Sequence, residues 1–281
     1  MLIGNRKFDT DNNIYIMGIL NVTPDSFSDG GKYMNVDHAL RQVDKMIQDG
    51  ADIIDIGGQS TRPGFNQVED TEEIKRVLPV IKEIKKRYDI PVSVDTFYSS
   101  VAREVLYEGV EMINDICSLR YQGNKEHMAD VIREFDASAV IMHNSERRYE
   151  ASSCDDEAIE SNLNMIMDEI KLYIDTAKIS KIADDKIIID PGVGFAKDYH
   201  MNMAVLAHLD KIKEFGYPVL LGASNKSFIG ETLDICTSER TAGTIATSLY
   251  ALTMGAAFVR VHDVAANKQA ITMAESILAY K

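Results

Sequence analysis

Asp95, Asn114 and Asp190 each stand where a short apolar run gives way to polar residues, and together they offer two carboxylates and an amide. Such a set suits a flat heterocycle with several N–H donors and one carbonyl, such as an aminopyrimidinone, because a carboxylate accepts from two adjacent donors. A metal cluster is the rival reading of these residues, but no His pair at HExxH-type spacing accompanies them. Arg62, Lys226, Arg260 and His262 add positive charge. Arg260 and His262 lie two apart on an expected strand and so project to one side, where they suit a phosphate or diphosphate. The bland alternative for that pair is a solvated strand end meeting local acids such as Asp263. The segment Gly192-Val-Gly-Phe-Ala-Lys197 is suited to bring backbone and the Phe195 ring against a planar ligand.

A second concentration of chemistry follows the apolar run Tyr15–Leu20. Asn21-Val-Thr-Pro-Asp-Ser-Phe-Ser-Asp-Gly-Gly31 holds metal-capable oxygens, the aromatic Phe27 and a Gly pair. A loop that only connects needs none of these. An ordinary turn rich in Asp and Ser explains this one segment by itself, but not its repetition along the chain.

The elements that position these residues recur with a regular beat. Apolar, often β-branched runs occur near Tyr15–Leu20, Asp52–Ile56, Pro91–Val94, Glu111–Ile113, Ala139–Met142, Lys186–Ile189, Pro218–Leu221 and Ala257–Val261. Helical periodicity fills most of the gaps, at Val36–Gln48, Thr71–Arg87, Asp156–Ser180, Asn202–Phe215, Thr237–Met254 and Val264–Tyr280. The stretch from Ser118 to Phe135 is less clear. Eight strands separated by helices in 281 residues match an α/β fold of the (β/α)8 TIM barrel type, which typically has roughly 250. The rival, a doubly wound open sheet, calls for a glycine-rich phosphate turn, and Gly192-Val-Gly194 lacks the third glycine. No linker or composition break divides the chain, so residues 1–281 are expected to form one domain. In a barrel the polar strand ends gather at the C-terminal face, where active sites of this fold lie. Any one carboxylate there is more often a helix N-cap, but a whole ring of polar ends is not explained that way.

Composition narrows the partners. With 30 basic and 44 acidic residues the formal net charge is −14, which argues against nucleic acid or an anionic membrane surface. An anionic substrate would need cations concentrated in its site. Cys117, Cys154 and Cys236 form no CxxC and suit a reduced cytoplasm. No apolar stretch reaches membrane-spanning length.

The residues suggest a barrel enzyme for a polar planar heterocycle and an anion without naming the reaction. Over its full length, however, the chain resembles the dihydropteroate synthase family. The resemblance rests on Asn21–Gly31, Asp55-Ile-Gly-Gly-Gln-Ser-Thr-Arg-Pro-Gly64, Ser93-Val-Asp-Thr96, Ile113-Asn-Asp-Ile116, Asp190-Pro-Gly-Val-Gly-Phe-Ala-Lys197, Ser224-Asn-Lys-Ser-Phe-Ile-Gly230 and Arg260-Val-His-Asp-Val264. It implies condensation of p-aminobenzoate with (7,8-dihydropterin-6-yl)methyl diphosphate, releasing diphosphate, with Mg²⁺ and as a homodimer. By the same resemblance Asp95, Asn114, Asp190 and Lys226 hold the dihydropterin, with Met142 and Phe195 among the substrate-binding residues. Thr61 lies in the pterin diphosphate site, Asn21 sits by the metal and diphosphate, and Arg260 and His262 hold phosphate groups. Phe27, Asp29 and Arg62 would complete the aminobenzoate side, and with Lys226 they are the expected catalytic set.

Three positions depart from the family pattern. Asn225 replaces the Arg of Ser-Arg-Lys, Ala196 replaces a frequent Gly, and Gln59 replaces the usual Glu. Loss of the Arg would weaken anion binding by about 1.5–3 kcal/mol unless Lys197 or another cation substitutes. Two alternatives follow: a pterin-binding methyltransferase, disfavoured by Thr23-Pro-Asp-Ser-Phe-Ser-Asp29 and Arg260-Val-His262, and a pterin-binding paralogue without turnover, motivated by Asn225.

Overall fold

Ile53-Ile-Asp-Ile-Gly57 shows how the sequence builds this barrel: Ile54 and Ile56 join the apolar layer under the helices, whereas Ile53 joins the core inside the sheet. The two-residue period of a strand sends alternate side chains to opposite faces, and both faces here are covered. The computed structural model describes residues 1–23, 32–59, 67–152 and 155–280. Among the described residues ten strands run in chain order: β1 (Leu2–Ile3), β2 (Arg6–Lys7), β3 (Tyr15–Asn21), β4 (Ile53–Gly57), β5 (Val92–Asp95), β6 (Met112–Asp115), β7 (Ser138–Met142), β8 (Ile187–Asp190), β9 (Leu220–Leu221) and β10 (Phe258–Val261). The helices are α1 (Lys32–Gln48), α2 (Asp70–Arg87), α3 (Ser99–Tyr107), α4 (Met128–Glu134), α5 (Asp156–Ile179), α6 (Tyr199–Ala207), α7 (Leu209–Lys213), α8 (Ser227–Leu233), α9 (Thr241–Thr253) and α10 (Val264–Leu278).

Strands β3 to β10 form one parallel eight-stranded sheet in the order β8-β7-β6-β5-β4-β3-β10-β9. A parallel bridge between Ile189 and Val219, with Ile189 N–H donating to Pro218 O at 2.9 Å, joins β8 to β9 and closes the (β/α)8 barrel. Every expected strand is present. Several run further toward their C-termini than the apolar pattern suggested, taking in Asn21, Gly57, Asp95, Asp115 and Asp190. The reason is backbone pairing: Asn21 sits opposite Gly57, Gly57 opposite Asp95, and Asp95 opposite Asn114. The side chains turn polar there while the ladder continues, so the chemical groups stand on the rim of the sheet itself.

Three helices were missing from the periodic pattern. In α3, Val101, Ala102, Val105 and Leu106 are buried at helical spacing in only nine residues. Helices α4 and α8 have seven residues each, too short to show a period. The segment expected as one helix over 202–215 is two, α6 and α7, separated at His208. Among the described residues no helix is long and apolar enough to cross a membrane.

The sequence also gave no sign of the N-terminal hairpin β1–β2, which seals the end of the barrel away from the polar rim. Its buried Ile3 and the following Phe8 pack with Met17, Ile53, Met112 and Phe258. The Phe8 ring meets Tyr15 edge-on at 4.8 Å and Phe258 at 5.8 Å. Arg6 Nη2 donates to Asp52 Oδ1 at 2.6 Å, while Asp52 Oδ2 accepts from Ile16 N–H at 3.0 Å, tying the hairpin to the sheet. Phe8→Ala is expected to lower unfolding free energy by about 3–5 kcal/mol, measured by urea denaturation. A loss below about 1 kcal/mol would show that the hairpin is not part of the core.

Candidate active site at the C-terminal rim

Arg260, on β10, reaches across the barrel mouth. Its Nε donates to Asp55 Oδ2 at 2.6 Å and its Nη2 to Asp95 Oδ2 at 2.9 Å. Asp55 is fully buried on β4 and Asp95 nearly so at the end of β5. Asn114, at the corresponding level of β6, directs Nδ2 to Asp55 Oδ2 at 3.4 Å. Each of the two carboxylates keeps Oδ1 buried without a hydrogen-bond partner among the described residues. Burial raises the Asp95 carboxyl above its ordinary range, Arg260 opposes the rise, and Asp55 adds to it. Burial likewise works against the Arg260 charge, but Asp55 and Asp95 outweigh it and hold the guanidinium charged.

Asp190 ends β8 and is buried as well. Its Oδ1 accepts from Gly192 N–H at 2.7 Å. Burial raises its carboxyl, and the Gly192 N–H, Lys226 and Arg260 pull it back. Lys226 precedes α8 and places Nζ 4.0 Å from the centre of the Phe195 ring. Gly194 makes this approach feasible, because a Cβ there would come within 2.9 Å of Lys226 Cδ. Met142, at the end of β7, packs with Phe97 and Ile116, and Phe195 lies against the same cluster. The mouth thus has an acidic side spanned by one guanidinium and an apolar side ending in a ring with an ammonium over it. A planar ligand with an N–H edge matches both.

Asn21 and His262 sit at the ends of their strands on the same rim. Gly57, opposite Asn21 in the ladder, has no side chain, and a Cβ there would stand 3.6 Å from Asn21 Oδ1. His262 Nδ1 lies 2.9 Å from Ser224 Oγ, which also accepts the His262 N–H at 3.2 Å. Phe27, Asp29, Thr61 and Arg62 lie outside the described residues.

Some strand-end residues do other work. Asp115 is buried, and its two oxygens accept the N–H groups of Cys117 and Leu119, both at 2.7 Å. That carboxylate holds the turn in which Ser118 and Leu119 both adopt positive φ. His143 is fully buried and bonds Glu169 rather than facing the mouth. Asp55, in contrast, was missed as a site residue. Its signal was a carboxylate interrupting an isoleucine run at the same parity as Gly57.

The three departures from the family pattern each have a local setting. Gln59 Nε2 donates to the buried Glu73 at 2.7 Å, and its Oε1 accepts from Val68 N–H at 3.3 Å. Burial drives the Glu73 carboxyl up to about 8, so Glu at position 59 would set a second acid against it. Ala196 holds φ +50, a conformation that favours glycine. Asn225 holds φ +58, where Asn is the best tolerated residue after glycine. Lys197 does not replace the missing cation at the rim, since its ammonium is buried against His143, Gly192 and Phe195. Arg240 instead donates to the carbonyls of Asn225 and Lys226, at 3.0 and 3.3 Å, and braces the lysine's backbone.

Comparison with known proteins shows the family. The family model described as pterin binding enzyme matches residues 17–262. The dihydropteroate synthase of Clostridium beijerinckii is 43% identical over 99% of this chain and 99% of its own. A crystal structure of dihydropteroate synthase from Clostridium difficile, determined in the presence of pteroic acid, has a TM-score of 0.88 and 46% identity, covering 96% of this chain and 99% of that one. The Xanthomonas albilineans dihydropteroate synthase with 4-aminobenzoic acid has a TM-score of 0.86 and 37% identity, over 95% of this chain and 94% of that one. With a buried acidic rim that suits an N–H-edged ring and near full-length identity of this order, the chain belongs to the dihydropteroate synthase family of pterin-binding enzymes.

Proposed function

We propose that the barrel mouth joins p-aminobenzoate to (7,8-dihydropterin-6-yl)methyl diphosphate, giving dihydropteroate and diphosphate. The observation that carries the residue assignment is the Asp55–Arg260–Asp95 bridge, with a buried carboxylate oxygen of Asp95 left to accept from a ligand. Asp95 and Asp190 take the N–H edge of the pterin, Asn114 supplies the complementary amide, and Lys226 donates to the ring with Phe195 and Met142 against its apolar surface. Charged acceptors and donors of this kind form the stronger hydrogen bonds.

The reaction proceeds by dissociation. The C–O bond to the diphosphate breaks and its electron pair leaves with the diphosphate. The resulting methylene cation is delocalised into the electron-rich ring, close to the carboxylates of Asp95 and Asp190. The aniline nitrogen then forms the C–N bond and gives up a proton, for which the released diphosphate is the available base. Arg260 has five N–H donors, so it can keep both carboxylates and still meet a phosphate oxygen, with His262 beside it. No protein nucleophile is needed. Phe27, Asp29, Thr61 and Arg62 are assigned by resemblance to the aminobenzoate and diphosphate sides. Asn21 would hold Mg²⁺ through its amide oxygen, a hard donor beside side-chain-free Gly57, as suits an ion that takes few protein ligands along with substrate phosphates. When bound, Mg²⁺ would neutralise charge on the departing diphosphate. We place the chain in the cytoplasm as a homodimer, supported by exposed Met273 and Ile277 on α10 and Tyr250 on α9. Sedimentation of a monomer would remove the dimer.

Incubation with the diphosphate substrate, labelled p-aminobenzoate and Mg²⁺ should yield labelled dihydropteroate, with product lost on chelation and restored by Mg²⁺. Absence of product with a correctly folded protein would contradict the assignment. Arg260→Met should cut turnover by at least about 100-fold and destabilise the fold by about 3–5 kcal/mol, because it strands two buried carboxylates. Thermal melting beside the same assay checks both effects. Asn225→Arg is expected to lower KM for the diphosphate substrate by up to about tenfold while costing about 1 kcal/mol of stability. An unchanged KM would show that the lost cation has no part in anion binding.

A further inference from the structure

A lysine ammonium lies buried behind the rim, in the turn that leaves β8. Lys197 is 7% exposed, and its Nζ donates to His143 Nδ1 at 2.8 Å, Gly192 O at 3.0 Å and Phe195 O at 3.1 Å. An ammonium has three N–H donors, and these acceptors, with His143 O further off at 3.5 Å, use them. Because His143 accepts at Nδ1, its proton is on Nε2, which donates to Glu169 Oε2 at 3.0 Å. Glu169, on α5, also accepts from Tyr149 Oη at 2.7 Å and Tyr173 Oη at 3.2 Å. His143 N–H in turn donates to Asp190 O at 2.9 Å. The turn from Asp190 to Lys197 is therefore held from its middle by the ammonium and at its start by the histidine backbone.

Burying an ammonium is costly, and apolar packing would hold an ordinary turn more cheaply. The turn holds itself through Gly192 N–H to Asp190 Oδ1 at 2.7 Å and Phe195 N–H to Gly192 O at 3.0 Å, and its remaining geometry is constrained. Ala196 is at φ +50, and a Cβ on Gly192 would clash with His143 O, so the backbone is pressed against β7. This turn carries Asp190 and Phe195, two of the residues assigned to the pterin. Burial lowers the Lys197 ammonium to about 7, with Asp190 and Glu169 working to keep it charged. The Glu169 carboxyl stays down at about 2, chiefly through its bond from His143. Lys197 in turn is one of the charges that oppose protonation of Asp190.

We infer that Lys197 is a positioning residue for pterin binding: its buried ammonium, fixed through His143 by Glu169, sets the turn that presents Asp190 and Phe195 to the ring. The inference rests on the assignment of those two residues to the pterin. A residue of this kind acts on one substrate, whereas a merely structural residue would affect both.

Steady-state kinetics of Lys197→Met, Glu169→Gln and Asp190→Asn test it, with folding checked by circular dichroism. Lys197→Met is expected to raise KM for the diphosphate substrate about tenfold or more while KM for p-aminobenzoate stays within about twofold. Glu169→Gln, which keeps its size but sets an amide N–H against two of the four donors that meet the carboxylate, should raise the same KM by about two- to fivefold. A folded Lys197→Met enzyme with unchanged pterin KM, or with both KM values raised alike, overturns the inference. If Lys197→Met does not fold, an unchanged pterin KM in folded Glu169→Gln overturns it instead. Unchanged KM in Asp190→Asn as well would overturn the assignment of Asp190, and the inference with it.

Discussion

One guanidinium organises the working end of this barrel. Arg260 bridges Asp55 and Asp95 from β10, beyond the intervening β3 in the sheet and 205 and 165 residues away in sequence. Two carboxylates at this depth repel one another and lose their hydration, so without an enclosed cation at least one would take up a proton. The cation opposes the rise of the Asp95 carboxyl and occupies Oδ2 of each acid, leaving Oδ1 of each without a hydrogen-bond partner among the described residues. The desolvation of such a cluster is seldom recovered in stability. Its use lies in the ligand: preformed acceptors in a site of low dielectric bind N–H donors strongly and need no rearrangement when positive charge develops on the ring.

The two lysines of the rim illustrate how burial divides similar residues between tasks. Lys226 stacks its ammonium over Phe195 at the edge of the mouth. Lys197 gives up all three donors to a histidine and two backbone carbonyls. Both converge on the same turn, one from the ligand side and one from behind. The turn contains Gly192 and Gly194 at positive φ, where their lack of a Cβ permits close approach of His143 O and of Lys226. Ala196 adopts positive φ without that freedom, which makes outside support from Lys197 and Asn202 more important; Asn202 Oδ1 accepts the Gly194 N–H at 2.6 Å. At the opposite end of the barrel the stabilising forces are of another kind, with Phe8, Tyr15 and Phe258 filling the floor. Apolar packing fills that end, and polar groups gather at the rim.

Much of this was legible in the sequence because a parallel strand buried on both faces leaves an unbroken apolar run, and polar residues mark where it reaches the rim. Asp95, Asn114 and Asp190 were visible in that way. What they contact was not. Arg260 read as a rim cation for phosphate, and nothing local to it points to Asp55, which is brought alongside only by barrel closure. His143 and Asp115 showed the same signature as the site residues yet serve the turns behind them, since a strand-end position does not reveal which face a side chain takes. Helices α3, α4 and α8 escaped notice through shortness, and the hairpin at the N-terminus because two-residue strands have no pattern to read. The identity of the reaction came from long motifs shared with a family, not from the spacing of acids and bases.

The most direct test is a crystal structure of the protein with dihydropterin bound. The aminopyrimidinone N–H groups should donate to Asp95 and Asp190, with Asn114 alongside, Lys226 and Phe195 at the ring, and Arg260 still bridging Asp55 and Asp95. A ring bound with its N–H edge turned away from both carboxylates, or an Arg260 released from Asp55 to reach the ligand, would contradict the central role given to the bridge.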